Sequence, residues 1–167
     1  MEQYRCKSCG YFHIGPAPEH CPVCGAPKDA FLPYDGPGDL AGTKTFENLK
    51  AAFAGESRAN RSYTLWARIA RLEGANEAAA AFERAAAEET AHALGHLAYL
   101  GGYGATKANL EAAANGEDYE ANEMYPAFAE QAEADGLPEI ASYFRSVGRF
   151  EASHRGEYRK ALEGLGE

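Results

Sequence analysis

The chain has 167 residues, 46% of them hydrophobic and 25% charged, which suffices for one ordinary core plus a small appendage and is too apolar for a disordered chain. Its formal charge of -9, from 16 Lys and Arg against 25 Asp and Glu, argues against nucleic acid or an anionic membrane as partner. The longest unbroken apolar run, Ala78 to Phe82, is far short of a membrane span, and the opening MEQYRCKSCG lacks the basic flank and apolar stretch of a secretory signal, so the expected compartment is the cytoplasm.

All four cysteines lie in the first 24 residues, and in a reducing compartment they are better explained as metal ligands than as disulfides. Cys6-Lys7-Ser8-Cys9-Gly10 and Cys21-Pro22-Val23-Cys24-Gly25 each read as a metal knuckle. Two intervening residues let both thiolates turn onto one ion, and the following Gly lets the backbone fold back beneath the sulfurs. A segment this short buries too little apolar surface to fold unaided, so metal would supply most of its folding free energy. Spacing alone leaves zinc and a single iron both open. Tyr4, Tyr11, Phe12, Phe31 and Tyr34 are expected to form an apolar shell that tunes a redox site, while His13 and His20 are expected at the surface or beside the site and not as ligands. Through YRCKSCGY, CPVCGAPKDAF and Tyr34 the segment resembles rubredoxin in its shortened form. That resemblance implies one electron-transferring iron on Cys6, Cys9, Cys21 and Cys24.

Composition breaks near residue 40, because six of the eight prolines precede residue 38 and the remainder is rich in Ala, Glu, Arg and Leu. The expected organisation is a cysteine domain at 1–35, a Gly/Pro-rich linker at 36–43 and a helical domain at 44–167. Thr45 and Gly74 are expected to bound the first helix, Asn76 and Gly101-Gly102 the second, Thr106 and Asp135-Gly136 the third, and Pro138 to open the fourth. Pro126 inside the third helix removes a backbone donor and predicts a local kink. Residues 45–56 and 106–117 agree at seven of twelve positions at an offset of 61, and Glu77/Glu139, Ala79/Ala141, Phe82/Phe144, Glu89/Glu151 and His92/His154 agree at an offset of 62. The helical domain therefore reads as a duplicated hairpin, a mainly α four-helix bundle.

The faces that should form the bundle's core carry carboxylates. Steps of three and four residues run through Phe53, Glu56, Asn60 and Tyr63 on the first helix and through Phe82, Ala85, Glu89, His92, His96 and Tyr99 on the second. The third gives Leu110, Ala113, Glu117, Glu120 and Met124, and the fourth gives Phe144, Val147, Glu151, His154 and Tyr158. Buried carboxylates without partners cost several kcal/mol each, and no Lys or Arg falls on these positions to neutralise them. Multivalent cations remain, with His92 and His154 as nitrogen ligands. One Glu from each of two helices plus Glu-x-x-His from each of the other two is the donor pattern of ferritin-like di-iron proteins. Glu56 and Glu117 fit the single positions; Glu89 with His92 and Glu151 with His154 fit the paired ones.

Residues 44 to 163 resemble rubrerythrin through ENLKAAFAGES, EETAHA, NGEDYEANEMYPAF and the late Glu151-x-x-His154 before Tyr158, with Glu120 as the additional carboxylate of that family. The resemblance implies a ferritin-like bundle holding two irons. Glu89 and Glu151 would bridge them, Glu56 and Glu120 would bind the first, and Glu117 with His154 the second, while His92 would exchange with Glu120 as oxidation state changes. It also implies that Tyr63 and Tyr125 hydrogen-bond ligand carboxylates. His96 matches no ligand position and reads as a histidine of the surrounding core. The cysteine domain precedes the bundle, as in reversed members of the family, so the expected assembly is a head-to-tail homodimer in which the thiolate iron serves a neighbouring subunit.

Two ferrous ions release two electrons, the number that cleaves the O–O bond of hydrogen peroxide. Peroxide reduction to water in oxidative stress defence is the expected activity, with an external reductase or small redox protein as electron donor. A ferroxidase or iron-storage protein, and an interaction protein built on a zinc ribbon, are the alternatives.

Overall fold

The computed structural model describes residues 1–165; the last two residues of the helical domain expected at 44–167 lie outside the described residues. The chain divides into two compact units, Met1–Tyr103 and the remainder from Gly104.

The first unit opens with three short strands, β1 (Gln3–Cys6), β2 (Phe12–Ile14) and β3 (Phe31–Pro33), paired antiparallel in the order β2-β1-β3. Tyr4 faces His13 on one side of β1, and Arg5 faces Leu32 on the other. The two knuckles repeat one geometry. The N–H of Gly10 donates to the carbonyl of Cys6 at 2.9 Å and the N–H of Gly25 to that of Cys21 at 2.8 Å, with φ of +78° and +74° at the two glycines. That left-handed conformation is strained for residues with a Cβ, which is why Gly follows each pair. Cys6, Cys21, Ala30 and Phe31 form the small core, with Tyr4 and Tyr11 against it. Phe12 and Tyr34, expected in the same shell, turn instead to each other at 5.3 Å between ring centroids and toward the helices.

Helices α1 (Lys44–Leu72) and α2 (Asn76–Tyr99) complete this unit as a hairpin. Thr43, and not Thr45, caps α1: its hydroxyl accepts from the N–H of Phe46 at 3.1 Å, satisfying a donor that the first turn leaves unpaired. Asn76 starts α2 without capping it, since its side-chain oxygen accepts from Arg71 instead. Gly74 and Gly101, at φ of +78° and +66°, follow the two helices as expected. The most buried helical positions are small: Ala67, Ala70, Ala79, Ala86, Ala91, Ala93 and Ala98. Short side chains let the two rods approach closely, so the large apolar residues lie to the side of this seam. The one buried polar residue among those described is Asn60, whose amide donates to the carbonyl of Ala86 and to Oγ1 of Thr90 and so ties α1 to α2.

The second unit contains α3 (Thr106–Tyr119), a π-helical turn at Glu120–Met124, α4 (Tyr125–Ala134) and α5 (Pro138–Gly164). The expected third helix is thus α3 and α4 with a π turn between them. In that turn the N–H of Tyr125 donates to the carbonyl of Glu120, five residues back. A π turn accommodates one extra residue in a helix, and this locates the change of repeat offset from 61 to 62: Glu56 pairs with Glu117 before the turn and Tyr63 with Tyr125 after it. Pro126, which has no N–H to give, enters at the first turn of α4. Ala129, Ala132 and Ala141 form the buried cluster with Phe144 against it, the counterparts of Ala67, Ala70, Ala79 and Phe82. Gly148 lets α5 approach the π turn; a Cβ there would lie 3.1 Å from Cβ of Tyr125.

No helix among the described residues is long and apolar enough to cross a membrane.

Candidate metal centres

The four cysteines converge. Sγ of Cys6 lies 3.8 Å from that of Cys24, and Sγ of Cys9 lies 3.6 Å from that of Cys21. Four sulfurs arranged tetrahedrally at about 2.3 Å from one ion would stand about 3.8 Å apart, so this cluster fits a single tetrahedral metal. Cys6 and Cys21 are buried while Cys24 reaches the surface. Burial opposes the Cys6 thiolate, but hydrogen bonds from the backbone of Cys9 and Ser8 more than offset it and bring the thiol down to about 7. Burial and the neighbouring sulfurs push Cys9 up to about 12. A bound metal would replace the protons of its thiol ligands. His13 and His20 are not among the clustered donors; His13 instead reaches the carbonyl of Pro16 through Nε2 at 3.0 Å. The cluster fits the iron site of a rubredoxin-like domain.

The helices carry two further clusters, one in each unit. Glu56 of α1 meets Glu89 and His92 of α2, and Glu117 of α3 meets Glu151 and His154 of α5, each set offering three donor atoms within 4.8 Å of one another. Nδ1 of His92 is 2.8 Å from Oε2 of Glu89, and Nδ1 of His154 is 2.8 Å from Oε2 of Glu151 and 3.8 Å from Oε2 of Glu117. The three-residue step of Glu-x-x-His places both donors on one helical face. Residues of both triads are half-buried, and Arg155, next to His154 in the chain, is engaged with Asp118.

Crowding of carboxylates shows in their acidity. A hydrogen bond with Glu89 and then burial raise Glu56 above the usual carboxylate range, against the opposing pull of His92 and His96. Glu89 is held low, first by its hydrogen bond with His92. Burial followed by the charge of Glu151 raises Glu117. Carboxylates that resist ionising beside one another are suited to a multivalent cation, and mixed oxygen and nitrogen donors suit iron. The two Glu/Glu/His groups fit a di-iron site.

Glu120 lies outside both triads. It sits in the π turn, close enough to Glu117 and Tyr125 to influence both. Tyr125 packs against Phe128 and Phe144 with centroids 6.2 Å away in each case. Burial, Glu120 and Glu151 hold its hydroxyl above the usual tyrosine range. Tyr63 occupies the equivalent trio with Trp66 and Phe82, at 5.5 and 6.1 Å. Two further residues stand at this site without a motif to mark them. His96, one turn beyond His92, acts on Glu56, and Arg5 lies with Cys9, His92 and His96 around one cavity of about 210 Å³.

Comparison with known proteins agrees with this geometry. Residues 47–162 match the family described as rubrerythrin, and residues 4–32 match the rubredoxin-like domain of rubrerythrin. A rubrerythrin of Porphyromonas gingivalis is 40% identical over 136 residues, covering 74% of this chain and 68% of that protein. Reverse rubrerythrin-1 of Clostridium acetobutylicum is 36% identical over 126 residues, covering 66% of this chain and 70% of that protein. Nigerythrin of Nitratidesulfovibrio vulgaris is 37% identical over 135 residues, covering 72% and 67%. Four converging thiols followed by a duplicated Glu/Glu/His triad, matched over most of its length by these relatives, place the chain in the rubrerythrin family, with its rubredoxin-like domain ahead of its helical one.

Proposed function

We propose that this protein is a non-haem di-iron peroxidase that reduces hydrogen peroxide to water, with electrons relayed through the thiolate site. Family membership supports an iron-binding oxidoreductase of oxidative stress defence; peroxide as the substrate and the relay are our reading. The observation that carries it is the coexistence, in one chain, of a four-thiolate cluster and two equivalent Glu/Glu/His triads. In this reading the triads act together in a ferritin-like bundle, as one centre for two irons. Glu89 and Glu151 would be shared by the two irons, Glu56 and Glu120 would hold the first, Glu117 and His154 the second, and His92 would exchange with Glu120.

Such a pair supplies the two electrons that peroxide requires, one from each ferrous ion. The side chains hold the pair and handle protons. Without metal, Glu56 keeps its proton to higher pH than an ordinary carboxylate because of its hydrogen bond with Glu89, and binding of the pair would release that proton. His92 and His154, each hydrogen-bonded to a Glu one turn away, are oriented by that bond. The hydroxyls of Tyr63 and Tyr125 are proposed to steady the ligand carboxylates. Cys6, Cys9, Cys21 and Cys24 hold the iron that receives single electrons from an external reductase or small redox protein.

The proposed organisation keeps the linker at 36–43. The proposed assembly is a cytoplasmic, head-to-tail homodimer. Large apolar residues left open in both units favour a further packing partner, with Trp66 46%, Phe128 45% and Phe150 66% exposed. The test is anaerobic reduction followed by one equivalent of peroxide. Rapid reoxidation with all iron retained supports the peroxidase; slow reoxidation, or release of iron as mineral, refutes it and favours the storage function.

A further inference from the structure

Resting on the relay just proposed, the further question is where an electron crosses from the thiolate site to the helices. The answer lies within Met1–Tyr103, where the knuckle packs on the C-terminal half of its own α2. The hydroxyl of Tyr34 donates to the carbonyl of Ala98 at 3.0 Å, and its ring meets Tyr99 edge-on at 5.3 Å. Phe12 packs on Tyr103 at 5.7 Å, and the Tyr103 hydroxyl donates to Oε1 of Gln3 at 2.8 Å. This aromatic clamp sets the knuckle against α2 about two turns beyond His92.

The backbones themselves approach at two glycines. Gly95 is buried, and a Cβ built on it would stand 3.2 Å from the carbonyl oxygen of Gly10. Gly10 directly follows Cys9, and Cys9, Gly10, His92, Gly95 and His96 border the same cavity. A ligand of the thiolate site and an imidazole of the helical triad are therefore neighbours across one small gap within a single chain. Gly95 is the residue that lets the knuckle come this near.

We infer that the electron passes within one chain, from Cys9 through the Gly10 peptide to α2 at Gly95 and on to His92, in place of the route between subunits expected from the domain order. One electron moves; the thiolate iron goes from ferrous to ferric and the iron beside His92 from ferric to ferrous, with no bond made or broken. Gly95 and Gly10 are positioning residues: they set the gap that the electron crosses.

Three experiments test this. In the full-length Glu89→Ala variant, which retains the cysteine site, iron in place of zinc at that site should broaden the amide resonances of Gly95 and His96 by its paramagnetism. Unbroadened resonances overturn the docking, whatever the activity of the protein. In stopped flow, fully reduced wild-type protein given one equivalent of peroxide should show reoxidation of the helical site and then a return of the ferric-thiolate colour. Gly95→Leu should leave the first phase, the iron content and the thiolate-site potential unchanged. It should slow the second by roughly tenfold or more, the scale on which ångström displacements of reacting groups act. Gly95→Ala should slow it less, in the same direction. An unchanged second phase in both variants overturns the route, whereas loss of the first phase already in the wild type overturns the peroxidase reading itself. Finally, Cys9→Ala and Glu89→Ala chains, co-refolded, should give no colour-coupled turnover; recovery in the mixture would place the relay between chains.

Discussion

The hairpin α1/α2 and its counterpart α3 to α5 carry one plan with two different additions. Both place Glu, Glu and His within 4.8 Å, both set a Tyr beside two large aromatic rings, and both bury a ladder of alanines. The first adds the docked knuckle, with His96 and Gly95 facing it. The second adds a residue, absorbed by the π turn that carries Glu120. Duplication supplied equivalent donors, and what distinguishes the two triads is local: a docked knuckle beside one and an extra carboxylate beside the other.

Several perturbations break this comparison at different points. The largest effect should come from removing the metal of the knuckle. Chelation, or Cys21→Ala, should unfold residues 1–35 while α1 to α5 remain helical, because structural metal contributes on the order of 10 kcal/mol to so small a domain; circular dichroism with near-ultraviolet tyrosine signals separates the two. Next is Asn60→Leu, which strips the buried amide that ties α1 to Ala86 and Thr90 and should cost about 1–3 kcal/mol in urea unfolding. The second hairpin has Gly148 where the first has Ala86, and Gly148→Ala meets Tyr125 at 3.1 Å. It should therefore cost about 1 kcal/mol or more through overpacking, where the same residue is native at Ala86. The smallest effect concerns Asp118, held below its ordinary value chiefly by its hydrogen bond with Arg155. A depressed carboxylate adds stability above its unfolded pKa and loses it as pH falls through the folded one. The stability gap between wild type and Asp118→Asn should therefore close on acidification, in thermal melts from neutral pH downward.

The chemistry of this chain was more legible than its packing. Metal ligands need fixed residue types at fixed spacings, so the four Cys and the Glu-x-x-His pairs stood out against an alanine-rich background. The meeting of Glu and His within each Glu-x-x-His pair follows from helical periodicity, whereas Glu56 and Glu117 join them only through the pairing of helices. The alanine seam did not stand out, because following the large residues traces a face that lies beside the line of closest contact. Thr43 was missed as a cap since Thr45 aligned with the repeat, whereas capping depends on which hydroxyl reaches a free N–H. The π turn had left its mark in the shift of offset from 61 to 62, a signal that means nothing until a helix is known to run through it. Contacts between knuckle and α2, such as Tyr34 with Ala98, join residues far apart in sequence with no shared motif, and only coordinates reveal them.

The central claim is that the two triads form one centre, and metal counting in Glu89→Ala and Glu151→Ala, with the cysteine site as internal standard, tests it most directly. The account predicts that either substitution, though each falls in a different unit, removes both helical irons and leaves the one thiolate iron in place, because a bridging carboxylate serves both metals. Retention of one helical iron in each variant would show two independent sites, and retention of both would show that these carboxylates are not ligands.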